Sequence, residues 1–176
     1  FPLLIFSSGT GFPSESYKTK DRGLITIGLS FLLHDLYYNY PSFLTRLFAP
    51  VNESIWEHMK IFFTSFVVSS IIQKIIVKVK KLDYNNICFS NIISGLLTII
   101  IFLVIFIPIY LIFGDNIVVT IILMILTEIL GHFISYKIIQ KKDLKLENVA
   151  VIITIVTYLI FLYLSYYPPV NFLFSY

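Results

Sequence analysis

Thiols are almost missing from this chain, which has one cysteine, Cys88, in 176 residues. A disulfide framework is therefore excluded, as is a zinc site built on thiolates. Charge is scarce too: 13% of residues are charged, where an ordinary soluble domain carries about 25%. So few charges cannot cover a globule of 20.4 kDa in water. There is no internal repeat, no heptad and no glycine-rich phosphate loop. The net charge of +3 is too small to create a field for nucleic acid, and no nucleic-acid partner is expected. What the chain has in abundance is apolar surface, with 57% hydrophobic residues and a mean hydropathy of +0.87. Disorder and fibrous repeats are excluded by the same values. The expected fold class is all-α, a polytopic membrane helix bundle whose first partner is the lipid bilayer.

A helix that crosses the bilayer needs about 20 mostly apolar residues. Between Asp83 and Asp115 run 31 residues without a charge, and 148–176 contains none either. About five spans are expected, at 23–40, 59–78, 90–113, 116–137 and 148–167. The first is the weakest, because His34 and Asp35 interrupt it. The fourth carries Glu128 and His132 inside its apolar run. Residues 1–22 read as a flexible or artefactual N-terminal segment, with the flexible run Ser7-Ser8-Gly9-Thr10-Gly11 inside it, and 23–176 as a single membrane domain.

Basic residues set the orientation. Eleven of the 13 Lys and Arg lie before span one, between spans two and three, or between spans four and five. Only Arg46 and Lys60 fall on the other side. The N-terminus is therefore expected in the cytoplasm and the C-terminus outside. Aromatic residues crowd the outer ends, among them Tyr37, Tyr38, Tyr40, Trp56, Tyr166 and Phe174, as an interfacial belt would. Pro168-Pro169 ends the last span, since a proline pair cannot continue the helical ladder.

With this orientation the ionisable residues of the membrane region converge. His34 and Asp35 close span one at the outer side. Asn52, Glu53, Trp56, Glu57 and His58 open span two from that side, and Glu128 and His132 lie within span four. Ser54-Ile55-Trp56-Glu57 fits the capping box, in which serine and glutamate satisfy free amides at a helix start; Asn52 is the other N-cap candidate. That reading leaves His58 unexplained. Glu128 lies about 18 Å along its helix from Asn116, near the middle of a core about 30 Å thick. A charge at that depth costs at least about 2.5–3.5 kcal/mol, so Glu128 is protonated, paired or facing a wet cavity. Its i,i+4 spacing places His132 on the same face.

These residues carry a resemblance. His34-x-x-Tyr37, then Phe48-x-Pro-Val-Asn-Glu-Ser-Ile-Trp-Glu-His-Met-Lys60, then Gly131-x-x-Ile-Ser-Tyr136, then Tyr167-Pro168-Pro169 resemble an uncharacterised family of small, mainly Gram-positive, bacterial integral membrane proteins. The Asn-Glu-Ser-x-Trp-Glu-His run is its most specific part. The sequence departs from the family pattern at Tyr38, Asn39, His132 and Phe172. The resemblance implies a multi-pass protein of the bacterial cytoplasmic membrane and brings no reaction with it.

Three function classes remain open, and whether the chain is an enzyme is not decided. The first and favoured is a non-catalytic envelope or accessory protein whose outer polar cluster fixes helix packing, acting as a homo-oligomer or beside a membrane partner. The second is a proton-coupled small-solute or ion transporter that uses Glu128. The third is a metal-dependent membrane hydrolase. Its divalent metal would take His34, His58 and a carboxylate, with Glu128 the deepest candidate and Glu53 and Glu57 the others.

Overall fold

The computed structural model describes residues 19–81, 84–114 and 116–175, with the side chains of 19–22 left aside. The chain is an all-helical, polytopic membrane bundle. Its helices are α1 (Thr19–His34), α2 (Leu36–Asn39), α3 (Phe43–Phe48), α4 (Ile55–Val79), α5 (Ile87–Phe113), α6 (Ile117–Ile139) and α7 (Glu147–Tyr166), followed by a 3-10 turn at Phe172–Phe174. Among the described residues four helices, α4 to α7, are long and apolar enough to cross a membrane. They coincide with the last four expected spans within a few residues.

The expected first span differs. Only Gly23–His34 forms its apolar helical run, and the chain breaks at Asp35, whose φ of −96° and ψ of 2° leave the helical region. The Asp35 carboxylate accepts a hydrogen bond from His34 Nδ1 at 2.9 Å, and the Asn39 amide donates to the Asp35 carbonyl at 2.9 Å. Short polar side chains that bond locally compete with the helix ladder, so 36–40 turns away from the axis of α1. Residues 1–18 of the expected N-terminal segment lie outside the described residues, and 19–22 are helical as part of α1.

Capping explains where the other helices start. Ser42 and Thr45 form a reciprocal capping box at α3. Asn116 accepts from the amides of Val118 and Val119 at α6. Ser54 accepts from the Glu57 amide at 3.3 Å and starts α4. At the opposite end of the bundle Asn86, held at φ 62°, donates to the carbonyls of Lys141 and Lys142 and accepts from the Leu144 amide. The Glu147 carboxylate accepts from the amides of Cys88 and Phe89 and pairs with Lys74 at 2.6 Å. An anion there suits the positive end of α5.

α4 is the central helix: 56% of its apolar window is buried, against 17–22% for α5, α6 and α7. Its neighbours are α5 on one side and α1 on another, and α6 closes the ring against α5 and α1. The interior is not an ordinary hydrophobic core. Among the described residues nineteen buried side chains are polar or charged and fifteen are apolar. Meanwhile Ile100, Val104, Ile122, Leu126, Ile152 and Leu159 stand exposed in mid-helix. A water-soluble protein would hide such a surface; hydrocarbon tails cover it without penalty.

Candidate functional site

The outer polar residues form a cluster at one end of the bundle, assembled from the C-terminus of α1, the loop 50–54 and the first turn of α4. The Nε2 atoms of His34 and His58 lie 3.6 and 3.5 Å from Oε2 of Glu53. The two imidazoles are tilted by 55° with centroids 5.3 Å apart. His58 Nδ1 faces the carbonyl of Ser54 at 2.9 Å, one turn back on its own helix. His58 and Glu53 line a cavity of about 430 Å³, walled by Phe102, Phe106 and Tyr110 of α5, Ile117 and Thr120 of α6, and Phe172.

The remaining residues of the Asn52–His58 run have other positions. Asn52 accepts from the Ser54 amide at 3.0 Å, so it orders the loop rather than capping α4. The capping box is half formed. Ser54 caps, but the Glu57 carboxylate turns away and accepts from the Val51 amide at 3.0 Å and the Ser165 hydroxyl at 2.5 Å. Its main partner is Lys60, 2.7 Å away, and both side chains are almost fully buried. The Lys60 ammonium also donates to the Arg46 carbonyl at 3.1 Å. Glu57 thus belongs to a buried ion pair beside α7, separate from the histidine cluster. Trp56 packs against other aromatic rings. Its ring stacks on Phe174 at 5.1 Å and meets Phe161 at 5.4 Å, clamping the C-terminal turn. Tyr38, Tyr40 and Tyr167 are exposed. Arg46 bonds the Tyr37 hydroxyl at 2.7 Å and lies over the Tyr166 ring. That hydrogen bond raises its already high pKa, so the cation is permanent.

Glu128 does not join His34 and His58. It faces the bundle interior, fully buried, and its Oε1 accepts from the Ser30 hydroxyl of α1. Its Oε2 has no hydrogen-bond partner among the described residues. Ser30 lies one helical turn before His34, so a single face of α1 carries the step from the outer cluster to the acid. His132 follows one turn beyond Glu128, buried and stacked on Phe66 with centroids 4.6 Å apart.

The polar interior continues past His132. The Ser135 hydroxyl donates to Ser90 and Asn91 at 3.4 and 3.5 Å. Asn91 exchanges hydrogen bonds with Gln73, and Gln73 also donates to Ser69 at 2.9 Å. Four helices thus contribute to one seam of buried polar side chains, from the His34–Glu53–His58 end towards the Lys74–Glu147 end. Ser30, Asn91, Gln73 and Ser135 escape a search for charged residues. A signal for them exists in the helical spacing of polar residues inside spans: Thr26, Ser30 and His34; Ser65, Ser69 and Gln73; Asn91, Ser94 and Thr98; Glu128, His132 and Ser135.

No curated protein and no solved structure matches the chain. Residues 19–176 match a family of unknown function, DUF6512. The match spans every described residue, the His34–Glu53–His58 cluster and Glu128 included, and the chain belongs to this family.

Proposed function

We propose that the protein moves protons or small cations across the cytoplasmic membrane of a bacterium, with Glu128 as the group that accepts and releases the charge. One observation carries this reading: a buried carboxyl with a free oxygen interrupts a seam of polar side chains between the two ends of the bundle. Ionisable residues at membrane depth mark ion and proton pathways more often than packing. Helix packing alone is served by Ser, Thr, Asn and Gln, which bond across helices without a titrating group. That contrast favours translocation over the purely accessory role expected from the sequence. In the orientation set by the basic residues, ions enter from outside at His34, Glu53 and His58 and pass Ser30 to Glu128.

Liposomes that contain the purified protein and a pH-sensitive dye test this directly under an imposed potential. Wild type should dissipate the gradient, and Glu128→Gln should bring flux down by about tenfold or more while the melting temperature holds. Wild-type flux no greater than that of empty liposomes, for protons and for a panel of monovalent and divalent cations, overturns the reading. A second reading, hydrolysis at the outer face, is favoured by the cavity beside Glu53 and His58. Its signature is product release from ester or phosphoester substrates with no flux.

A further inference from the structure

The outer cluster is arranged more closely than a vestibule for passing ions requires. We propose that His34, Glu53 and His58 form a binding site for a divalent transition metal, zinc being the representative ion. The inference does not rest on translocation.

The argument starts with protons. A carbonyl oxygen can only accept, so the 2.9 Å contact from His58 to Ser54 places the proton of that ring on Nδ1. The Asp35 carboxylate does the same for His34 at 2.9 Å. Each neutral imidazole is then left with its lone pair on Nε2, and both Nε2 atoms face the same oxygen of Glu53. Histidines that ligate metals are oriented in this way, with the second ring nitrogen donating to a carboxylate or a backbone carbonyl.

Distances agree with a metal better than with direct hydrogen bonds. Separations of 3.5 and 3.6 Å are long for hydrogen bonds to a carboxylate. Direct bonding would also need a proton on every ring nitrogen, hence two imidazolium cations with centroids 5.3 Å apart. Around a tetrahedral ion with bonds of about 2.0–2.2 Å, neighbouring ligand atoms stand about 3.3–3.6 Å apart. The ligand atoms of all three residues already lie within 4.8 Å of one another, so a shift of about one ångström in the exposed Glu53 and the partly exposed His34 side chains closes the set. Two imidazoles and one carboxylate suit zinc and its neighbours rather than calcium or magnesium. The fourth position falls beside the cavity that His58 and Glu53 line, so the site is open to an exchangeable ligand.

The test uses the full-length chain in detergent, stripped with a chelator and titrated with Co²⁺ and then Zn²⁺ in competition with a chromophoric chelator. One equivalent should bind, and the cobalt form should show the intense visible absorption of a tetrahedral ion. His34→Ala, Glu53→Gln and His58→Ala should each weaken binding by more than about 100-fold, and Asp35→Asn by about 10–100-fold. Asp143→Asn, an exposed acid at the other end of the bundle, should change nothing. His34→Ala removes a partly exposed ring and keeps the test usable if His58→Ala misfolds; melting temperatures of metal-free samples verify folding. No saturable binding by wild type, or binding that survives His34→Ala with Glu53→Gln, overturns the proposal. Metal binding without flux would sink only the translocation reading, and flux without metal binding would sink only this one.

Discussion

Lys60 is fully buried, an unusual environment for a lysine. Lysine is rarely buried without a partner, and here the ammonium pairs with Glu57 at 2.7 Å while also bonding the Arg46 carbonyl. Removing one member of a buried pair leaves an uncompensated charge and costs about 3–5 kcal/mol. Lys60→Met and Glu57→Gln should therefore each lower the unfolding free energy by about that amount, and the double variant should lose much less than their sum. Additive losses in chemical denaturation would show that the two groups are not coupled. Ser54→Ala removes a single cap bond and should lose only about 0.5–2 kcal/mol, read as a small drop in melting temperature. The pairing of Lys60 was not legible in the sequence, where it counts as an outer basic residue. Its i,i+3 spacing from Glu57 was visible, but burial depends on α3 and α7 covering that face of α4.

Helices approach most closely where small residues line up, as packing in lipid requires. A Cβ added at Gly131 of α6 would meet Thr98 Oγ1 of α5 at 2.0 Å and Phe66 of α4 at 2.8 Å. One added at Gly95 of α5 would meet the Phe66 Cβ at 3.1 Å. Phe66 is thus the point where α4, α5 and α6 lock, and its ring supports His132 from one face. Gly131→Ala should destabilise the bundle by about 1–3 kcal/mol, the usual result of overpacking. Adding Thr98→Ala should restore part of that by removing the nearest atom. Full recovery would mean that the Phe66 contact yields freely, and no loss from Gly131→Ala would mean that the helices sit further apart. At this scale the four long helices were readable from apolar runs, two of them free of charge. The end of α1 was not, because hydropathy resumes at Leu36 and ignores the local bonds of Asp35 and Asn39.

For the whole molecule, the distribution of Lys and Arg predicts the side on which each end lies. Helices α4 to α7 alternate in direction, so His34, Glu53 and His58 share one end with Asn116, and Lys74 and Glu147 share the other. In a Cys88→Ser background, Tyr40→Cys should react with an impermeant thiol reagent added to intact cells, and Lys142→Cys only after lysis; both positions are exposed. The reverse pattern would turn the bundle over and place the His34–Glu53–His58 cluster in the cytoplasm. Ser54, although in the outer loop, is buried and would report falsely.

Composition and periodicity by themselves determined the membrane class, the four long helices and the charge asymmetry, because each is a one-dimensional consequence of hydrocarbon thickness and of charge near its surface. They also carried, unused, the four-residue spacing of polar side chains that marks the inward faces of α1, α4, α5 and α6. Only the tertiary structure decided which carboxylate belongs to which partner. Glu128 was the foremost expected partner of the histidines, with Glu53 and Glu57 as the others; packing gives Glu53 to His34 and His58, Glu57 to Lys60 and Ser165, and Glu128 to Ser30. Such pairing depends on the rotation and depth of one helix against another, which arise from contacts between residues far apart in the chain, and hydropathy does not encode them.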